Sequence, residues 1–269
     1  MLTFEPKNLN KKHTVKHICY EQPLNERIRT FLRLEHLFRQ AAYWLAGDSI
    51  WHSRAVLDSL FDIQNVFGRA DLRSELIKEL ERHAANLGKL VDNPNVDSSA
   101  LQAVLDDLDV LIDRLHAIHG QPGQKLRDNE FLNSIRQRNS IAGGDCAFDL
   151  PAYHQWLQHP PEQRQANLQE WVSEFDSIRD AVFMILSLIR DSATATPQVA
   201  EGGFCQQSLD TNMAYQLIRV LVPEDQACFA EISAGKHRFT LRFMQLGDLG
   251  SRATQCEDDI HFHLACCVL

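Results

Sequence analysis

Lys236, Arg238, Thr240 and Arg242 occupy alternate positions near the end of a 269-residue chain. On a β-strand this spacing puts all four side chains on one face, with successive ones ~6.6–7 Å apart. Three of them are cations standing in line. Like charges in a row repel, so the row needs carboxylates on neighbouring strands or an acidic ligand from outside. The planar fork of arginine suits the second task, because it matches a carboxylate. The local background sharpens the contrast: residues 198–269 hold five Lys or Arg against nine Asp or Glu, a net of −4.

Other constellations carry less. Lys125, Arg127, Arg136 and Arg138 form a second basic set, diluted by Asp128 and Glu130. Arg29 and Arg33 lie one turn apart on an early helix. Taken alone, either set is most simply a solvated helix face. Cys256, His261, His263, Cys266 and Cys267 are metal-ligand residue types, and His261, His263 and Cys267 would share one face of a strand. Structural zinc sites use tighter paired spacings than these, and two solvated histidines beside apolar cysteines is the simpler reading. A metal-binding module or hydrolase built on this cluster is the alternative from another class. Asp106, Asp107, Asp109 and Asp113 fit the wet face of an amphipathic helix. Cys146, after a Gly-Gly loop, is the nearest approach to a nucleophile, and a single loop cysteine is usually structural. Phosphate-loop, dinucleotide, GxSxG and HExxH motifs are absent. No enzyme activity and no cofactor are expected.

The formal charge of −9, from 27 basic and 36 acidic residues, disfavours nucleic acid, which requires a broad basic surface. The first twenty residues carry Lys7, Lys11, Lys12 and Lys16 without an apolar stretch, so no export signal is expected. The longest apolar run, 181–189, is far short of the ~20 residues a membrane helix needs. Seven irregularly placed cysteines fit reduced thiols rather than a disulfide framework. A cytoplasmic protein without membrane insertion is expected.

These residues need elements to position them. From residue 23 to about 193, apolar side chains recur every three or four positions, as in Leu24, Ile28, Phe31, Leu32, Leu37, Phe38, Ala41 and Leu45. Gly47-Asp48-Ser49, Asn93-Pro94-Asn95 and Gly120-Gln-Pro-Gly123 punctuate successive helices. Ser99 and Gln102 have capping-box spacing. Residues 194–203 read as a linker and turn. Beyond them 214–222, 237–245 and 259–268 alternate like half-buried strands, within a β-domain expected over 204–269. Residues 13–22 (within which HTVKHICY spans 13–20) are strand-like and are expected to join that sheet, and 1–12 are expected to be a disordered extension. The fold class is α+β: a mainly helical domain over 23–193 and a small, mostly antiparallel β-domain.

Six stretches, in order and spanning nearly the whole chain, resemble the ZapD family of bacterial cell-division proteins. They are YEQPLNERIRTFLRLEHLF (20–38), SELIKELER (74–82), RQRNSIAGGDCAFDLPAYHQWL (136–157), LSLIRDSA (186–193), EISAGKHRFTLRFM (231–244) and FHLACC (262–267). The resemblance implies a homodimer that binds the short C-terminal tail of FtsZ and bundles its protofilaments, stabilising the Z ring at mid-cell. That tail is an acidic and apolar segment, which suits a basic strip beside apolar pockets. Carried over residue by residue, the resemblance makes Lys236, Arg238 and Arg242 the leading tail contacts. Arg33 and His154 become secondary candidates for bundling, with Arg29 grouped beside Arg33. Arg136 and Arg138, in the RQR motif, are partner candidates that could equally be structural. The chain departs from the family pattern at Glu130, where a basic residue is expected, and in its first twelve residues.

Overall fold

Asn25 turns an extended segment into a helix by accepting the N–H of Ile28 at 2.9 Å, a cap typically worth ~1 kcal/mol. This contact belongs to a computed structural model that describes residues 16–67, 71–235 and 237–268. The chain divides into two units, residues 25–190 and residues 16–24 with 191–268. The expected extension over 1–12 lies outside the described residues, as do residues 13–15 of the expected strand. The fold is α+β.

The first unit is helical. Its elements are α1 (Glu26–Leu45), α2 (Ile50–Phe67), α3 (Leu72–Gly88), α4 (Ser98–His116), α5 (Gln124–Arg127), α6 (Glu130–Asn139), α7 (Pro151–Leu157), α8 (Pro161–Ser173) and α9 (Asp176–Asp191). Of the stripe read from the sequence, Ile28, Phe31, Phe38 and Ala41 of α1 are buried, whereas Leu32, Leu37 and Leu45 are half-buried and Leu34, outside that stripe, is buried in their place; α1 packs mainly on α2. The apolar run 181–189 supplies the buried side of α9 through Ala181, Val182, Ile185, Leu186 and Ile189. Asp97, rather than the expected Ser99, caps α4: its carboxylate accepts the N–H groups of Ser99 and Ala100.

Buried charges fix how these helices meet. Glu35 on α1 takes both Nη atoms of Arg190 at 2.7 Å and Arg39 at 2.8 Å. Glu79 on α3, fully buried, meets Arg27 of α1 at 3.1 Å, Arg82, and the His83 ring at 3.6 Å. Burial, aided by Arg82, pushes the pKa of His83 down to about 4, so the ring stays neutral. Arg164 of α8 is buried and donates to Ser53 Oγ at 3.1 Å and to the carbonyl of Leu157 at 3.2 Å, with Asp48 and His159 carbonyls completing its shell.

The second unit is a sandwich of two antiparallel sheets. One sheet has the order β1 (His17–Pro23), β4 (Leu217–Pro223), β8 (Ile260–Cys267), β2 (Thr196–Ala200). The other has β3 (Phe204–Ser208), β6 (Arg238–Gln245) and β5 (Phe229–Ala234), with β7 (Thr254–Gln255) pairing the end of β6. The N-terminal strand pairs with β4, from His17 opposite Pro223 to Pro23 opposite Leu217, so it joins the C-terminal strands as expected. Ile218, Val220, Ile260, Phe262 and Leu264 from one sheet meet Phe239, Leu241 and Phe243 from the other. Phe243 and Phe262 join the two faces with ring centroids 4.9 Å apart.

Two readings of this region need correction. Residues 194–203 are not simply a linker, because Thr196–Ala200 is a strand hydrogen-bonded to β8. Its Pro197 sits on an edge strand, where a missing N–H costs no ladder bond. The expected strands over 214–222, 237–245 and 259–268, joined by the N-terminal one, also undercount, since FCQQS and FAEISA form β3 and β5 of a second sheet. Gly202 and Gly203, at φ +55° and +69°, turn β2 into β3. A Cβ on Gly203 would lie 2.6 Å from the carbonyl oxygen of Cys256, so only glycine fits without displacing backbone.

Candidate functional site

Strand β6 places its residues by simple alternation. Phe239, Leu241 and Phe243 fill the sandwich interior, which forces Arg238, Thr240 and Arg242 onto the outer face of the second sheet. Both arginines are exposed. Lys236, the first member of the row, lies outside the described residues.

The neighbours follow from register. Arg242 stands opposite Phe204 on β3 and Glu231 on β5; Thr240 stands between Gln206 and Ser233; Arg238 faces Ser208. The N–H of Phe243 bonds the carbonyl of Gly203, and the N–H of Gly235 bonds that of Arg238. These bonds set the phase on both sides. Arg242 and Glu231 form a hydrogen-bonded pair, whereas Arg242 and Phe204 form a non-hydrogen-bonded pair, in which side chains approach more closely. Phe204 is 40% exposed, and half-buried Phe229 and Met244 continue the apolar surface on the same face.

Charge on this face is unbalanced. Glu231 is exposed across from Arg242, yet neither Arg238 nor Arg242 forms an ion pair among the described residues. Arg219, on the outer face of the other sheet, is satisfied within the unit by Glu21 at 3.0 Å. Among the described residues, then, the two guanidinium groups are not neutralised by an ion pair, and Glu231 is the one carboxylate that register brings opposite either of them. Two guanidinium forks beside an exposed aromatic ring can accept an acidic segment with apolar residues.

The remaining candidates lie in the helical unit. Arg29 Nε is 3.3 Å from Glu26 of its own helix, while Arg33, one turn on, is exposed without an ion pair among the described residues. Arg136 donates to Asn133 Oδ1 at 2.8 Å, and Arg138 reaches Asp149 at 3.8 Å, so both have partners inside their unit. His154 is exposed on α7, between the buried Tyr153 and Trp156. Asp106, Asp107, Asp109 and Asp113 form the wet side of α4.

The C-terminal His/Cys cluster is split by its own strand. Cys266 packs against the sandwich core, on the side opposite His261 and His263, and Cys256 is buried. Burial raises the pKa of the Cys266 thiol and pushes that of Cys267 up to about 11, away from the thiolate a metal needs. Among the described residues no group of three or more His, Cys, Asp or Glu is placed to hold a metal ion. His263 instead meets His17 edge-on, with centroids 5.2 Å apart.

Sequence reading missed Phe204 as part of the site. Its short segment FCQQS carries one strong strand former, and only the register with β6 places it beside Arg242.

The model of the ZapD family, described as cell division protein, matches residues 32–242. The chain belongs to the ZapD family of cell division proteins. It is 44% identical over 252 residues to the Cell division protein ZapD of Methylococcus capsulatus, covering 94% of this chain and 98% of that one. It is 43% identical to the protein of the same name from Ralstonia pickettii, covering 93% and 99%. The Cell division protein ZapD of Nitrosomonas eutropha is 41% identical, with 94% and 100% covered. The match takes in α1 from Leu32 and runs to Arg242 in β6. No helix of the described residues is long and apolar enough to cross a membrane.

Proposed function

We propose that this ZapD-family chain is a non-enzymatic division factor that binds the C-terminal tail of FtsZ on the outer face of the β3–β6–β5 sheet. The observation that carries the reading is the pair Arg238 and Arg242, exposed on one face and without ion-pair partners among the described residues, with Phe204 alongside. Lys236 extends the basic row by sequence position. As a homodimer with one such face per subunit, the protein cross-links protofilaments. Each contact is weak, and filaments multiply it by presenting many tails. Residues 23–193 act as a helical domain whose Arg29, Arg33 and His154 contribute to bundling, with Arg136 and Arg138 a lesser contribution because their guanidinium groups are engaged. The protein works in the cytoplasm and is recruited to mid-cell.

Co-sedimentation with FtsZ polymers tests this. The unaltered chain pellets with the filaments and thickens them into bundles, as seen by negative-stain microscopy. Arg238→Glu with Arg242→Glu abolishes both while circular dichroism stays unchanged. Retained co-sedimentation by the folded double variant would refute the site.

A further inference from the structure

We infer that an acidic, extended peptide docks as an added strand along the open edge of β3, pairing its backbone with Gln206 and Ser208 while its carboxylates reach Arg238 and Arg242. This rests on the reading that the face takes an acidic tail, and it specifies how.

The phase of the ladder supplies the first reason. Leu209 donates to the carbonyl of His237 and Phe243 donates to that of Gly203, so Cys205 and Gln207 turn their backbone groups toward β6. Gln206 and Ser208 turn theirs the other way. Among the described residues β3 pairs with no strand on that side; only Phe204 is engaged there, by a turn bridge to Glu201, and the backbone groups of Gln206 and Ser208 form a ready template for another chain.

Composition supplies the second. Edge strands are ordinarily guarded by proline or charge. β1 carries Glu21 and Pro23, β2 carries Pro197 and β5 carries Glu231, whereas FCQQS has neither. The open edge of β5 is a poor place for an acidic peptide, because exposed Glu231 would face it. That leaves β3.

Charge supplies the third. Phe204, Gln206 and Ser208 are exposed and share their face with Arg242, Thr240 and Arg238. A strand added beside β3 lies two strand spacings from β6, ~9.5 Å, a gap that an extended arginine and an acidic side chain span together. Alternate peptide residues then lie over Phe204 and toward the guanidinium pair, so apolar and acidic positions are both read.

The test measures affinity of the unaltered full chain for a synthetic FtsZ-tail peptide and for two versions carrying backbone N-methyl groups at alternate residues. One N-methyl phase should lose about tenfold or more, the equivalent of one or two backbone hydrogen bonds, and the other should stay within about threefold. Gln206→Pro removes an outward N–H that serves no bond inside the sheet, and should weaken the unmodified peptide about tenfold. Gln206→Thr keeps the N–H and should stay within about twofold. Equal affinities for the two N-methyl phases would overturn added-strand docking, and they decide the matter alone if Gln206→Pro does not fold. So would a folded Gln206→Pro chain that binds as tightly as the unaltered one. A self-association lost in Gln206→Pro with peptide affinity unchanged would assign the edge to a second copy and likewise overturn the proposal. If the unmodified peptide fails to bind the unaltered chain, the proposed function itself falls. If Arg238→Glu with Arg242→Glu abolishes binding while the N-methyl series is flat, only the strand mode falls.

Discussion

Arg242 and Phe204 face each other across β6 and β3 in a non-hydrogen-bonded pair, the closer of the two antiparallel pairings. A guanidinium held beside an exposed aromatic ring is a bifunctional surface, charged on one part and apolar on the other. Phe204 contributes little to the core, being 40% exposed, so its place matters more to a ligand than to folding. Phe204→Ala should therefore weaken FtsZ-tail binding about five- to tenfold, roughly the loss of one half-buried apolar contact. Chemical denaturation should move by less than about 1 kcal/mol. Calorimetric titration beside a urea melt separates the two effects.

Glu231 is the acidic neighbour of Arg242 on the other side. Removing it leaves the arginines intact and lessens repulsion of an acidic ligand. Glu231→Gln should tighten tail binding about two- to threefold at low salt, the scale of an exposed charge pair. The gain should vanish as ionic strength rises toward ~0.5 M and the Debye length shrinks. Affinity indifferent to salt in both forms would count against electrostatic docking.

His83 links stability of the helical unit to pH. Its folded pKa is held at about 4, below the ordinary 6.5 of a free imidazole, chiefly by burial. The unfolded chain thus binds a proton there more readily than the folded one. Stability from this group is fully present above about pH 6.5 and is lost as pH falls toward about 4, by ~3 kcal/mol in all. His83→Leu should flatten this segment of the curve in urea melts run from about pH 7 to about pH 4.5. An unchanged slope would mean other groups carry it.

Glu79 is a buried carboxylate shared by Arg27, Arg82 and His83. Glu79→Ala removes the buried carboxylate that two part-exposed guanidinium groups share at a helix junction and should cost about 1.5–3 kcal/mol. The β unit, which contains none of these residues, should keep its hydrogen-exchange protection in the same variant.

The helical elements were legible because amphipathic periodicity is written into single segments: α1 buries Ile28, Phe31, Phe38 and Ala41 of the marked stripe, and the apolar run 181–189 supplies the buried side of α9. The Arg238/Arg242 row was legible for a similar reason, since β6 alternates cleanly over its length. What the sequence hid depends on partners distant along the chain. β3 has five residues and β2 contains a proline, so neither announces itself, and their pairings with β6 and β8 exist only in three dimensions. Phe204 enters the site through register alone. Arg164 looks like any helical arginine until Asp48, Ser53, Leu157 and His159 are seen to enclose it. The His/Cys cluster was legible as well: strand alternation turns Cys266 to the side opposite His261 and His263, as the simpler reading of solvated histidines beside apolar cysteines expects.

In the proposed function, the exposed guanidinium pair on β6 receives the FtsZ tail. Titration of a synthetic tail peptide into the unaltered chain and into Arg238→Glu with Arg242→Glu tests it most directly. Saturable binding to the first, weakening as salt is raised, is expected, with no detectable binding to the second and its thermal melt unchanged. Equal binding to both folded proteins would contradict it.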